Sequence, residues 1–377
     1  MLINRGDAER VKILVLFVEI TDYNIARIEN VYNRCQNIEF TYVYCSNSVS
    51  GHKHIRELPH GTYVLAGNNM RKVFALRKLV AQHAYDFMII NGYSELSRLW
   101  CIMYCKMHGI PYAIETDTQL QMPNMILKRL AKNILLKNIF KGNAYGFAGG
   151  TRQRELFYHY GMDRKRVKIL PMTVDVDGLR NLVNENKKEY LQTKYDVQDK
   201  KVILYVGRFE EVKNLPLLLK AIYVLANTHN DFIVYMVGGG SQESRLKSLV
   251  KQYGLEKEIQ FVGYKVMPEL AEYYALADVF VLPSTFEPWG LVVNEALASN
   301  VPVIASSQVG AVDDLIIRGK NGDVFGESNS DELVGLLHKW LYVKTGEIEV
   351  DIMQKWNFQT YRAVLEDTLR EIITHES

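Results

Sequence analysis

Apolar residues along this chain fall into runs of two alternating kinds. Short continuous runs rich in β-branched and aromatic residues, VKILVLFVEI at 11–20, FTYVYCS at 40–46 and YDFMIINGY at 85–93, predict strands. Between them, MRKVFALRKLVAQHAY at 70–85 and LSRLWCIMYCKMHG at 96–109 repeat apolar residues at helical spacing. The second half follows the same grammar, with KVILYVG (201–207), DFIVYMVGGG (231–240), IQFVG (259–263), DVFVLPS (278–284) and VPVIAS (301–306) separated by helical stretches. Because the strand runs are continuous rather than alternating, both faces of each strand are expected to be covered, which predicts parallel sheets between helices. The pattern breaks between Pro171 and Lys201, a polar, charged stretch that reads as a linker. It resumes at 353–376, where helical spacing predicts a closing helix. The expectation is an α/β protein of two doubly wound domains, 1–185 and 186–350, with a C-terminal helix over 351–377 packing back toward the first.

A length of 377 residues fits two cores rather than one. A hydrophobic content of 48% excludes disorder, and 25 Gly, 9 Pro and 4 Cys exclude collagen-like, low-complexity and disulfide-framework classes. The net charge of +2 conceals a division. Residues 1–180 hold 25 Lys and Arg against 15 Asp and Glu, whereas 181–377 hold 20 against 28. A basic half fits nucleic acid, an anionic membrane or an acidic substrate, and only motifs separate these. The opening MLINRGDAERVKILVLFVEI mixes charges with a short apolar run, so neither a signal peptide nor a transmembrane helix is expected and a cytoplasmic location follows. Cys35, Cys45, Cys101 and Cys105 are then expected to be reduced and packed, without the partners a zinc site needs.

The densest chemistry lies in PSTFEPWGLVVNEALASNVPVIAS at 283–306. Strand DVFVLP runs into a loop, and a helix is expected to open near Gly290, so Glu287 in the loop and Glu295 inside the helix flank a helix N-terminus. That end presents the amides of Gly290, Leu291 and Val292 to an anion, and Gly290 lets the backbone approach it closely. Phosphate at the amides, with carboxylates on either side to accept hydroxyl hydrogen bonds, describes a sugar nucleotide. In LYVGRFEEVKNLPLLLKA (204–221), Arg208 and Lys213 occupy a loop beyond a strand's carboxyl end, where α/β folds bind ligands and where two cations can neutralise a diphosphate. Other signals point away from rival chemistries. VGGGSQ lacks the third glycine of a dinucleotide fingerprint, and Asp175-Val176-Asp177 sits in the linker rather than at a metal site.

These residues carry a resemblance. GRFEEVKN with its Arg-x4-Lys spacing, VGGGSQESRL, IQFVGY, LPSTFEPWGLVVNEALA with its Glu-x7-Glu spacing, and VGAVDDLI followed by GKNGDVF resemble glycosyltransferase family four, retaining nucleotide-sugar enzymes of the GT-B fold, across 201–330. GFAGGTRQRELFYHYGMDRKRVKILPMTVDVD (146–177) also resembles the segment that ends that family's first domain. The resemblance implies two facing Rossmann-like domains. It places Glu295 on ribose hydroxyls, Glu287 by the donor sugar, Arg208 and Lys213 on the departing diphosphate, and Gly239, Val262, Gly263 and Tyr264 around the nucleotide. It implies no cofactor and no metal. Two departures stand in the first half: FVEITDYN (17–24) lacks the family's glycine-rich loop, and YDFMIINGYSE offers Asn91, Gly92 and Tyr93 where many members have a histidine. After IPYAIET, Asp117 is a candidate to orient or deprotonate an acceptor hydroxyl, with a turn cap as the bland alternative.

The stretch 124–141, NMILKRLAKNILLKNIFK, holds Lys128, Arg129, Lys132, Lys137 and Lys141 among many apolar residues and no acid. Two readings fit it: a helix lying on an anionic membrane surface, or a domain helix with a solvated basic face. Nucleic acid is not expected, since no recognition motif accompanies the charge. The expected activity is transfer of a hexosyl-type sugar from a nucleoside diphosphate sugar to a saccharide or lipid-linked saccharide, in cell-surface polysaccharide biosynthesis such as lipopolysaccharide or capsule. The alternatives are a GT-B nucleotide-sugar isomerase and a non-catalytic sugar-nucleotide binder.

Overall fold

The computed structural model describes residues 10–46, 48–49, 52–53, 58–120, 126–185, 187–343 and 348–375. Asn124 and Met125 of the basic stretch lie outside them. The chain divides into two compact units, 1–175 with 356–377, and 176–355.

The first unit is built from β1 (Val11–Phe17), α1 (Asp22–Asn30), β2 (Ile38–Tyr44), β3 (Ser48–Val49), β4 (His52–Lys53), β5 (Thr62–Val64), α2 (Asn69–Gln82), β6 (Phe87–Asn91), α3 (Leu96–His108), β7 (Tyr112–Thr116), α4 (Ile126–Ile139), β8 (Ala144–Ala148), α5 (Thr151–His159) and β9 (Val167–Ile169). Among the described residues seven strands form one parallel sheet in the order β5-β2-β1-β6-β7-β8-β9, with β3 and β4 pairing separately. Side chains alternate across β1, so the sheet has two cores. Leu14 and Leu16 join Leu76 and Leu79 of α2, Cys101 and Cys105 of α3, Leu136 and Ile139 of α4 and Leu156 of α5 on one face. Ile13, Val15 and Phe17 join Ile25 and Ile28 of α1 on the other. That second face is closed by the last helix of the chain, α14 (Phe358–His375), through Phe358, Tyr361, Leu365 and Leu369. All four cysteines are buried free thiols.

The second unit runs α6 (Val176–Glu185), α7 (Lys188–Lys194), β10 (Lys201–Val206), α8 (Leu215–Ala226), β11 (Phe232–Val237), α9 (Glu243–Tyr253), β12 (Ile259–Gly263), α10 (Glu269–Leu276), β13 (Val279–Leu282), α11 (Leu291–Ala298), β14 (Val303–Ser306), α12 (Val312–Leu315), β15 (Gly322–Phe325) and α13 (Ser330–His338). Its described strands form a parallel sheet ordered β12-β11-β10-β13-β14-β15. β11 is buried at every position, as its unbroken apolar run requires.

The units divide after Asp175, ten residues before the expected end of the first domain at 185, and again after Lys355 rather than 350. The expected linker is not a linker. It folds as α6 and α7, which pack on α10 and α11 of the second unit. Three of its cations pair within that unit: Arg180 with Asp351 at 2.6 Å, Lys188 with Asp278 at 2.8 Å and Lys194 with Glu272 at 2.6 Å. Val176 and Leu179 are buried beneath them. A polar, charged stretch can therefore still be a folded part of a domain, its apolar residues buried and some of its cations paired at the surface.

Each sheet has one point where the chain reverses its direction of growth, and crevices at the carboxyl ends of strands open there. In the first unit this point lies between β1 and β6, and in the second between β10 and β13.

Candidate functional site

The loops that leave β10 and β13 carry the cations and the first carboxylate of the sequence motifs. After β10 the chain passes Arg208, which is exposed, and tightens into a 3-10 turn at Glu211–Lys213 before α8 opens. After β13 it passes Ser284, Thr285 and Glu287 before α11 opens. The two loops are stitched together, since the backbone N–H and hydroxyl of Thr285 both donate to the carbonyl of Val212, at 2.9 and 3.2 Å. That register brings the Lys213 ammonium onto Glu287 Oε2 in an ion pair whose side chains are only 13% and 16% exposed. The Ser284 hydroxyl lies 3.5 Å from the same oxygen.

A second set of bonds fixes Glu287 from the far side. Its N–H donates to Gln308 O at 3.2 Å, and its carbonyl accepts from the Gly310 N–H at 3.0 Å. Trp289 is buried and its indole N–H donates to Asn294 Oδ1 at 2.8 Å, anchoring the loop to the helix it precedes. Gly290 sits at φ 96°, a left-handed conformation that a side chain would resist, and it starts α11 at Leu291. The amides of Gly290, Leu291 and Val292 therefore belong to the first turn, where no intrahelical acceptor exists. The positive end of the helix dipole lies there as well.

Glu295 stands further along α11 and is not ion-paired to Lys213; it accepts a hydrogen bond from the Tyr274 hydroxyl of α10 at 2.7 Å. Burial pushes its carboxyl up to about 7, and the Tyr274 bond only partly opposes this. Such a carboxyl gains from neighbours that donate to its ionised form, as ribose hydroxyls would.

Glycines dominate the loop that follows β11, and a glycine ends β12. The Phe209 N–H donates to Gly239 O at 2.8 Å and the Gly238 N–H donates to Gly263 O at 2.9 Å, so the loops after β10, β11 and β12 share one ladder. Gly238, at φ 137°, admits no side chain, because a Cβ would collide with the carbonyl oxygen of Gly207, and at Gly240 a Cβ would meet the Phe209 backbone. Gly239 itself has room for a Cβ, its nearest neighbour being Glu243 Oε2 at 3.5 Å. Glu210 holds the arrangement shut, accepting from the Ser241 hydroxyl at 2.6 Å and the Ser241 N–H at 3.2 Å; these bonds lower its carboxyl below the usual range. Val262 is half-buried, and Gly263 and Tyr264 are exposed at the end of the edge strand β12.

The structure thus gathers Lys213 and Glu287 into one pair, sets the α11 amides beside Glu287, and ties Gly239 and Gly263 to one ladder. Arg208 joins through a residue that the sequence reading did not single out. Tyr205, buried near the end of β10, donates its hydroxyl to Arg208 O at 3.0 Å, and its phenol is pushed up by burial and by the Glu287 carboxylate while Arg208 pulls it down. A tyrosine inside an otherwise aliphatic strand run is the signal that marks it, because a buried hydroxyl requires a partner. Tyr274, Ser284 and Gly238 were likewise missed, being defined by partners remote in sequence. Asp117 lies on the other unit, the first, exposed just beyond β7, with its carbonyl accepting from Gln153 Nε2 at 3.0 Å.

The first unit holds its own buried polar network near the carboxyl ends of β6 and β7. Arg27 of α1 pairs with Glu115, which also accepts from the Tyr361 hydroxyl at 2.9 Å and from Asn91 Nδ2 at 2.9 Å. The guanidinium lies over the rings of Phe17 and Tyr23, each 5.1 Å away.

Residues 186–344 match the family described as Glycosyl transferases group 1, a span that contains every candidate site residue of the second unit. The chain is 30% identical over 181 residues to an uncharacterized glycosyltransferase of Methanocaldococcus jannaschii, covering 48% of this chain and 43% of that one. It is 28% identical over 280 residues to the D-inositol 3-phosphate glycosyltransferase of Corynebacterium glutamicum, covering 71% and 64%. The chain therefore spans less than two thirds of the length of these curated relatives. Among solved structures, the sucrose-phosphate synthase of Thermosynechococcus elongatus superposes with a TM-score of 0.77 at 19% identity, over 97% of this chain and all of that one. The Anabaena protein HepE in complex with UDP does so with a TM-score of 0.75 at 16% identity, over 96% of this chain and all of that one. The fold is GT-B.

Proposed function

We propose that this chain is a retaining glycosyltransferase. It moves a hexosyl-type sugar from a nucleoside diphosphate sugar to a saccharide or lipid-linked saccharide acceptor, in cell-surface polysaccharide assembly, on the cytoplasmic side and peripheral to an anionic membrane through 124–141. The carrying observation is the half-buried Lys213–Glu287 pair set beside the first turn of α11 at the switch point of the second sheet. The likeness to glycosyl transferases group 1 over 186–344 supports the donor reading, as does the HepE structure, which holds UDP.

In this reading the diphosphate lies against the α11 amides with Arg208 and Lys213, and Glu295 accepts the ribose hydroxyls. As the anomeric carbon–oxygen bond breaks, the electron pair leaves with the β-phosphate oxygen, and the charge growing there meets cations and dipoles already fixed in place. The acceptor hydroxyl attacks the face that the diphosphate is leaving and passes its proton to the departing phosphate. Glu287, neutralised and steered by Lys213, faces the sugar hydroxyls. Asp117 of the first unit orients the acceptor. No step calls for a metal, because the diphosphate charge is met by Arg208, Lys213 and the amides.

A thermal-shift screen against UDP-, GDP- and ADP-sugars identifies the donor, since binding stabilises by mass action. Transfer is then followed with that donor. Glu287→Ala and Lys213→Ala are expected to cut transfer about 100-fold or more. Unimpaired transfer by either variant refutes the assignment, and conversion of donor, with no acceptor present, into an isomeric nucleotide sugar rather than free sugar and nucleoside diphosphate would place the chain among isomerases.

A further inference from the structure

The sequence left the basic stretch with two readings, a core stripe with a solvated basic face or a membrane-lying helix. Burial separates them. Of the apolar residues in α4, only Leu136 and Ile139 are buried in the sheet-facing core, whereas Ile126, Leu127, Leu130 and Ile134 are 67%, 76%, 51% and 64% exposed. A solvated helix face carries polar residues at such positions. The neighbouring helices repeat the feature: Met70 and Phe74 of α2 are 68% and 71% exposed, and Met103 and Met107 of α3 are 61% and 69% exposed. On α6 to α13 of the second unit the exposed large hydrophobics among the described residues are Tyr190 of α7 and Tyr223 and Val224 of α8, and α9 to α13 have none.

These stripes share one side of the molecule's first unit. α2, α3 and α4 all seat their buried residues on the same face of the sheet, so their opposite faces point outward together. α2 packs on α3, and the Lys106 ammonium of α3 donates to Asn138 O of α4. The charge around the stripes has one sign. No Asp or Glu occurs within the three helices, while Arg71, Arg77, Lys78, Lys106, Lys128, Arg129 and Lys137 are exposed on them. Apolar side chains surrounded by cations and free of acids are complementary to an anionic bilayer, whose headgroups attract the cations and whose acyl boundary takes the apolar tips.

We propose that the outward face of α2, α3 and α4 is a three-helix platform that docks this chain on an anionic lipid bilayer. This deepens the peripheral-membrane reading proposed for 124–141 and rests on it: the docking element is one continuous face of the first unit, with α2 and α3 contributing apolar anchors of their own.

The test is sedimentation of the full chain with vesicles of phosphatidylcholine alone or with about a third phosphatidylglycerol, at low and high salt. Binding is expected only to the anionic vesicles, weakening at high salt as exposed charges are screened. Leu127→Ser with Leu130→Ser, and separately Met70→Ser with Phe74→Ser, are each expected to lower the partition coefficient by about tenfold or more. Lys128→Glu with Arg129→Glu is expected to do the same. All six positions are exposed, so the melting temperature is expected to hold, and donor-dependent thermal shift in the absence of vesicles reports the second unit independently. Equal binding to neutral vesicles, or no binding, overturns the proposal while leaving donor chemistry intact. Loss of effect confined to the α2 variant reduces the platform to α4 and overturns it in the form stated. A dimer that the Leu127→Ser, Leu130→Ser variant dissolves assigns the face to a second copy and also overturns it.

Discussion

Lys213→Met tests whether the ion pair at the switch point is the hinge of the site. The substitution keeps most of the side-chain volume and removes the charge, so what is measured is electrostatic. With both side chains about one-seventh exposed, the pair lies between surface and interior. A contact pair gains about 4 kcal/mol at an effective dielectric of 20, and desolvation takes back a large share. Removing one partner forfeits the gain but leaves Glu287 desolvated and held by the Gln308 and Gly310 bonds, so the cost is expected near 2–3 kcal/mol. For a cooperative unit of this size that is a fall of about 4–12 °C in melting temperature. Glu287→Gln is expected to cost less, because it leaves a lysine whose long stem can carry the ammonium toward solvent. The double variant Lys213→Met, Glu287→Gln closes a cycle whose coupling energy is expected at about 1–2 kcal/mol. Donor distinguishes the two roles of Lys213: if it meets the diphosphate, the nucleotide-sugar shift in melting temperature seen in the wild type shrinks in Lys213→Met but persists in Glu287→Gln. A coupling below about 0.3 kcal/mol, or a full donor shift in Lys213→Met, refutes the reasoning.

Glu295 supplies a pH prediction. Its carboxyl is raised from the ordinary 4.5 to about 7 by burial, so the folded form binds its proton more tightly than the unfolded chain does. Its contribution to stability is therefore fully present below about pH 4.5 and is lost as pH rises through about 7, a swing of at most about 3 kcal/mol. Glu295→Gln is expected to flatten the stability-against-pH curve across that window, and an unchanged curve refutes the assignment. Donor affinity is expected to move the opposite way, strengthening as pH rises to 7 and the carboxylate becomes able to accept ribose hydroxyls; titration calorimetry reads this directly. Gly238→Ala forces a Cβ onto the Gly207 carbonyl and is expected to cost at least about 3 kcal/mol and abolish the donor shift, while Gly239→Ala, with open space, is expected to be mild. In the first unit, Glu115→Gln leaves the Arg27 charge buried without its counter-ion and is expected to cost about 3–5 kcal/mol in chemical denaturation, against about 1 kcal/mol for Tyr361→Phe.

The kind of fold was legible in the chain alone, and so was the local neighbourhood of the residues proposed as the site. Continuous apolar runs such as VKILVLF and FIVYMV permit only strands covered on both faces, and the loops that follow KVILYV and VFVL are local signals, legible because strand, turn and helix preferences act over a few residues. The sequence also placed Glu287, Gly290 and Glu295 around one helix start, since eight residues of loop and helix fix their order. What it could not decide was pairing at a distance. Whether Lys213 stands free or on Glu287 depends on how two loops 74 residues apart are stitched by Thr285. The same holds for Arg180, Lys188 and Lys194, which read as linker charges until Asp351, Asp278 and Glu272 arrive beside them. It holds also for Arg27, whose burial requires Glu115 and a tyrosine from the last helix. The apolar residues of α4 show the same limit in reverse. Periodicity marked them as amphipathic, but only the packed sheet decides which stripe of a helix is used up in the core and which is left to meet a partner, because burial is a property of the assembled neighbours and not of the segment.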